Sequence, residues 1–193
     1  MTDKIEAFRA LHIPGDPLVL FNIWDAGSAK AVAAAGAKAI ATGSYGVACA
    51  RGSSDGENLS LDDALANLGE ILAVTDLPVS IDMEAGYGAE ATAVGRSVAR
   101  ARDAGAVGIN MEDRMPGETA LLAVGDAAAR IAAAHGWWPW LIRATPSAAR
   151  ALRSPQGVDH RMFTGSGEPS QIAAMQRGSD KNGTNKPPAP ASA

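Results

Sequence analysis

Six acidic residues are placed where they could gather a hard cation: Asp25, Asp55, Asp82, Glu84, Glu112 and Asp113. Asp82 and Glu84 end the apolar run LPVSIDME (77–84), while Glu112 and Asp113 end AVGINMED (106–113). On a strand, residues two apart project from the same face, which would set Asp82 beside Glu84. Carboxylates converging without positive partners repel and are costly to leave dry. A divalent cation relieves both costs, and Mg²⁺ suits such a set because it takes oxygen ligands and keeps several waters. The plainer alternative is that these acids are solvated loop residues or helix caps. Pattern alone leaves both readings open for Asp25, Asp55 and Asp113. It favours a shared site for Asp82, Glu84 and Glu112, which fall at the ends of consecutive strand-like runs.

Other chemistries find less support. Cys49 is the single cysteine and has no histidine near it in sequence, so a packing or loop role outweighs a nucleophilic one. His12, His135 and His160 are scattered, and no Cys/His spacing suits zinc. GSYG (43–46) and AGYG (85–88) read as tight turns or as backbone that approaches a ligand closely. Neither carries the Lys-Ser/Thr element of a nucleotide-binding phosphate loop.

The elements that must position these residues alternate between strand and helix. PLVLFNIW (17–24), KAIAT (38–42), LPVSIDME and AVGINME (106–112) are strand-like, with WPWLIRA (138–144) a weaker fifth. An Ala-rich helix from about Gly27 stops at Gly36, and SLDDALANLGEILAVT (60–75) follows a loop. In that segment Leu61, Leu65, Leu68 and Leu72 recur at helical spacing, Ser60 can cap, and Asp62 and Asp63 suit the first turn. Further helices are expected over 90–103 and 117–136. Regular βα units imply an α/β fold with a parallel sheet, whose functional end is the carboxyl end of its strands. About four to five units are legible, roughly half of a TIM-type (β/α) barrel, and a whole one needs about 250 residues.

Beyond Gly136 the character changes. Residues 1–136 carry a net charge of −8 and residues 137–193 one of +4, and seven of the 11 prolines lie in the second part. That part holds only five Leu, Ile or Val residues, too few to offset the entropy of ordering it. The expected organisation is therefore an incomplete barrel over 1–145 and a largely unstructured tail over 146–193. A net charge of −4 argues against nucleic acid and anionic membranes as partners. No apolar stretch in the N-terminal segment is long enough for a signal peptide or a membrane span, and a cytoplasmic location is expected.

WDAGSA (24–29), GSYGVACARGSSDGENLSL (43–61), DMEAGYG (82–88) and GINMED (108–113) together resemble successive signatures of the isocitrate lyase/phosphoenolpyruvate mutase superfamily. The resemblance covers residues 17–136 and implies a (β/α)₈ barrel, a homo-oligomer, and Mg²⁺ at the carboxyl end. It implies that Asp55, Asp82, Glu84 and Glu112 surround the metal. Gly43, Ser44 and Tyr45, with Asp82, would hold a small carboxylate substrate, and Arg143 and Asp55 would serve the reaction. The implied chemistry is lyase, decarboxylase or phosphonomutase action on a 2-oxo or 2-hydroxy carboxylate through an enolate-like species.

Two departures narrow it. The family often has Ser where Gly43 stands. The lyases carry a Lys-Lys-Cys-Gly-His-like loop where this chain reads RMPGETALL (114–122), which argues against isocitrate or methylisocitrate cleavage. An oxaloacetate-decarboxylase-like or carboxyphosphonoenolpyruvate-phosphonomutase-like branch remains. The competing expectation is an inactive, truncated member, with a frame change near 137–145, that associates with itself or with a full-length relative.

Overall fold

The computed structural model describes residues 2–137 and 142–144; residues 138–141 of the expected fifth strand and the 146–193 tail lie outside these. Five strands form one parallel sheet: β1 (Phe21–Ile23), β2 (Ile40–Thr42), β3 (Val79–Asp82), β4 (Gly108–Met111) and β5 (Ile142–Ala144). Their order in the sheet is their order in the chain. That is the winding of a (β/α) barrel; a doubly wound sheet would reverse direction part-way. Six helices accompany them among the described residues: α1 (Thr2–Ala10), α2 (Ala26–Ala34), α3 (Ser44–Ala50), α4 (Leu61–Leu72), α5 (Ala91–Asp103) and α6 (Val124–Trp137).

The two faces of the sheet differ because of register. Ile40 pairs with Val79, and Ile81 with Ile109. These residues, with Leu68, Ile71, Val94, Val98 and Ile131 from the helices, make the main core. The opposite face is small and polar. Asn22 pairs with Ala41, Ala41 with Ser80, and Ser80 with Gly108. Phe8 of α1, which the sequence reading did not single out, fills the space left there. A Cβ on Gly108 would lie 2.8 Å from the Phe8 ring and 3.1 Å from Ser80 Oγ. Phe8 also packs with Ala39 and Val107, just before β2 and β4, so α1 closes the amino end of the sheet.

Local signals explain most boundaries. Ser60 caps α4 by accepting the Asp63 amide at 3.1 Å. Gly36 and Gly105 turn the chain out of α2 and α5 with φ of +94° and +107°, values that favour glycine. Two expectations need correction. GSYG is no simple turn, since α3 starts at Ser44 directly after β2. The helix expected from residue 117 starts only at Val124, because Gly117 has φ +77° and the Leu122 amide bonds back to the Asp113 carbonyl at 2.7 Å.

Candidate metal and carboxylate site

Asp82 is the last residue of β3, and both of its oxygens are held. Oδ1 accepts the Glu84 amide at 3.0 Å and Oδ2 accepts the Ser44 amide at 3.1 Å. Its own amide donates to Thr42 Oγ1 at 2.9 Å, tying β3 to the end of β2. The carboxylate is thus fixed in direction at the carboxyl end of the sheet. The Ser44 amide, expected to serve a substrate carboxylate, serves Asp82 here. Tyr45 is exposed. Gly43 precedes α3 under the Asn22 side chain: a Cβ there would lie 2.8 Å from Asn22 Nδ2, so a serine at this position would require that amide to move.

Glu84 behaves differently from the strand expectation. β3 ends at Asp82, and Glu84 adopts φ +47°, so the two-apart rule for strand residues does not reach it. Its carboxylate is buried and turned toward the loop after α3. Oε2 accepts the Glu57 amide at 2.6 Å, and Oε1 accepts the Tyr87 hydroxyl at 3.1 Å. Burial raises the Glu84 carboxyl above its ordinary range, while the bonds from the Glu57 amide and the Tyr87 hydroxyl oppose that rise. Tyr87 is in turn pushed up, by burial first and then by the charge on Glu84.

Glu112 follows β4, and its amide donates to the Glu84 carbonyl at 2.6 Å. Its carboxyl is raised by burial first and by the charge on Asp82 second, with Arg114, 3.9 Å away, acting the other way. Asp55 is exposed in the 51–60 loop, and its charge acts on both Glu84 and Glu112. Asp82, Glu112 and Asp55 therefore share one electrostatic neighbourhood at the carboxyl end of the sheet. Asp25 is a helix cap instead. It accepts the Ser28 amide at 2.6 Å and the Ser28 hydroxyl at 2.7 Å, and the Ser28 amide bond is the main cause of its lowered pKa. One oxygen of buried Asp113 has no partner. The role expected of the Arg143 side chain falls outside the described part of the structure; its backbone pairs with Asn110, which pairs with Asp82.

Among the described residues, no three His, Cys, Asp or Glu side chains come close enough to hold a metal ion directly. The donor set still fits Mg²⁺. It is all carboxylate oxygen, the donor type that Mg²⁺ takes, and it carries more negative charge than Arg114 can balance.

Sequence reasoning missed two contributors. Glu57 accepts the Tyr87 amide at 2.7 Å while donating its own amide to Glu84. Arg130 of α6 is buried, and its guanidinium donates to the Ala89 carbonyl at 2.9 Å and to the Ala85 carbonyl, clamping the turn between β3 and α5. The one sequence signal for Arg130 is a cation amid the apolar positions of AAARIAAAHG (127–136).

Comparison with known proteins bears on the family and the fold. The phosphoenolpyruvate phosphomutase family model matches residues 8–136. A candidate phosphonomutase from Burkholderia cenocepacia J2315 is 46% identical, with a TM-score of 0.71 over 74% of this chain and 60% of that one. A phosphonopyruvate hydrolase solved with oxalate and Mg²⁺ is 25% identical, with a TM-score of 0.66 over 77% of this chain and 54% of that one. The 2-methylisocitrate lyase of Escherichia coli K12 is 34% identical over 111 residues, 57% of this chain and 38% of the enzyme. The chain thus spans about two fifths of the length of the curated relatives it matches.

Proposed function

The chain belongs to the phosphoenolpyruvate phosphomutase family, and from that premise we propose that it provides a Mg²⁺ site for lyase-type chemistry on a small 2-oxo or 2-hydroxy carboxylate. The observation that carries the proposal is Asp82, fixed by two backbone amides at the carboxyl end of β3, with Glu112, just after the neighbouring strand β4, near enough for the Asp82 charge to act on its carboxyl. Support from outside the chain is the phosphonopyruvate hydrolase relative, which was solved with Mg²⁺ and oxalate.

Each residue has a task in this reading. Asp82 is the primary carboxylate for the cation, held so that it loses no orientational freedom when the cation arrives. Glu112 and Asp55 would accept hydrogen bonds from the waters of the cation. Mg²⁺, when bound, supplies a Lewis acid to the oxygens of a chelating carboxylate substrate. Arg143 would add positive charge from β5. RMPGETALL offers no Cys, His or Lys for isocitrate-type cleavage, so the reaction to assay is decarboxylation of oxaloacetate to pyruvate.

A second reading rests on the sheet itself. Among the described residues β1 has no strand on its outer side, and Phe21 on it is exposed. An open parallel edge beside exposed apolar groups favours association. In that case the protein binds Mg²⁺ but decarboxylates oxaloacetate little faster than free Mg²⁺, and it assembles with itself or with a full-length relative. Pyruvate release with and without Mg²⁺, measured beside a variant with both Asp82→Ala and Glu112→Ala, separates the two. Turnover on the order of 1 s⁻¹ or more in the parent alone supports the enzyme reading. Equal rates in parent and variant refute it.

A further inference from the structure

Three non-glycine residues have left-handed backbone among the described residues: Glu57 (φ +55°), Glu84 (φ +47°) and Tyr87 (φ +51°). They are the three residues that bond one another across two loops. The Glu57 amide donates to Glu84 Oε2 at 2.6 Å, the Tyr87 amide donates to Glu57 Oε1 at 2.7 Å, and the Tyr87 hydroxyl donates to Glu84 Oε1 at 3.1 Å. Left-handed backbone is unfavourable for a residue with a Cβ, and it persists only where the surroundings over-determine it. Glycine would make the same turns without that cost, as Gly56 and Gly86 do beside them with φ of +91° and +102°. At these three positions the chain keeps side chains that close the 51–60 loop onto the turn after β3.

We propose that Glu57, Glu84 and Tyr87 form a clasp in which Glu57 is a positioning residue that holds Asp55 at the carboxylate site. Asp55 lies two residues before Glu57. Its carbonyl accepts Asn58 Nδ2 at 2.8 Å, a bond within the same short loop. Arg51, paired with Glu70, and buried Leu59 hold the two ends of that loop, and the clasp holds the stretch between them that carries Asp55. From behind, Ser97 Oγ donates to the Tyr87 carbonyl at 2.9 Å and Arg130 holds the carbonyls of Ala85 and Ala89. The β3–α5 turn is thus the fixed half of the clasp and the 51–60 loop the held half. The assignment of Asp55 to a cation site rests on the function proposed above; the clasp rests on the hydrogen bonds.

The test uses the full chain with Mg²⁺ as the probe, together with amide hydrogen exchange measured in its absence. Glu57→Ala removes the acceptor for the Tyr87 amide, whereas Glu57→Gln keeps it. Expected are a rise of at least about tenfold in exchange over residues 53–58 for Glu57→Ala and little change for Glu57→Gln. Mg²⁺ affinity should fall about tenfold in Glu57→Ala and stay within about twofold in Glu57→Gln, in line with the loss of an outer-shell partner. Because Glu57 acts through Asp55, the pair Asp55→Ala with Glu57→Ala should bind no more weakly than Asp55→Ala alone, a non-additivity that a merely structural role would not produce. Unchanged exchange in Glu57→Ala overturns the clasp, and additive losses in the double variant overturn the positioning role. An Asp82→Asn protein that binds Mg²⁺ as the parent does refutes the cation site instead, and exchange then decides the clasp by itself.

Discussion

Replacing Arg130 with methionine isolates what the buried guanidinium does for the turn that carries Glu84 and Tyr87. Methionine keeps most of the apolar stem and removes the donors. The Ala85 carbonyl, on a residue only 1% exposed, loses its donor and has no ready access to water. Leaving such a group unpaired costs about 1–3 kcal/mol. The Ala89 carbonyl lies on an exposed residue and can turn to solvent, so its loss adds little. Against this, burial already disfavours the charged guanidinium, as its lowered pKa reflects, so removing it returns part of its desolvation cost. The expected balance is a destabilisation of about 2 kcal/mol, or roughly 4–8 °C in Tm for a chain of this size. Lysine can reach one carbonyl but not both in a fixed fork, so Arg130→Lys should recover about half of the loss. Urea unfolding with a common m-value measures all three proteins. A methionine variant within about 0.5 kcal/mol of the parent would refute the clamp.

Asp25→Ala should lower stability by about 1 kcal/mol through loss of the α2 cap, while Asp25→Ser should stay near the parent and Mg²⁺ affinity should be unchanged in both; a thermal melt with Mg²⁺ titration checks this. Glu112 has its folded pKa raised above the ordinary 4.5, by burial first and Asp82 second, so the folded state holds this proton more tightly than the unfolded state. The stability it contributes is full below that ordinary value and is lost as pH rises through the folded pKa. Metal-free Glu112→Gln should therefore melt higher than the parent at pH 7, by no more than the equivalent of about 1 kcal/mol for a half-exposed group, with the gap closing near pH 4. An unchanged or lower melt at pH 7 would show that Glu112 is not under this strain.

The parts of the fold set by periodicity and punctuation were open to reading from sequence. Leu61, Leu65, Leu68 and Leu72 marked α4, Ser60 its start, and Gly36 and Gly105 the exits of α2 and α5. The alternation of these elements gave the parallel sheet and the end of it that holds the acids. What periodicity could not give was decided by contacts between distant segments. α3 follows β2 without the pause that GSYG suggested, and Phe8 fills a face that only the register of β2, β3 and β4 leaves open. The pairing of Asp82 with Glu84 on one strand face failed because β3 stops at Asp82 and Glu84 turns left-handed, bound to Glu57 from another loop. Asp25 shows the opposite outcome, for its acid is accounted for locally by Ser28. Glu57 and Arg130 carry no spacing signal, because their partners are backbone groups and residues 27 to 45 positions away.

Calorimetric titration of Mg²⁺ into the parent and Asp82→Asn proteins asks whether the Asp82 carboxylate anchors a Mg²⁺ site. Asparagine keeps the shape of the side chain and one oxygen for the Ser44 or Glu84 amide, so a folded variant is expected, with circular dichroism as the check. One saturable site is expected in the parent, with binding about 10- to 100-fold weaker in the variant. A folded Asp82→Asn protein that binds Mg²⁺ as tightly as the parent, or a parent with no saturable site, would contradict that expectation.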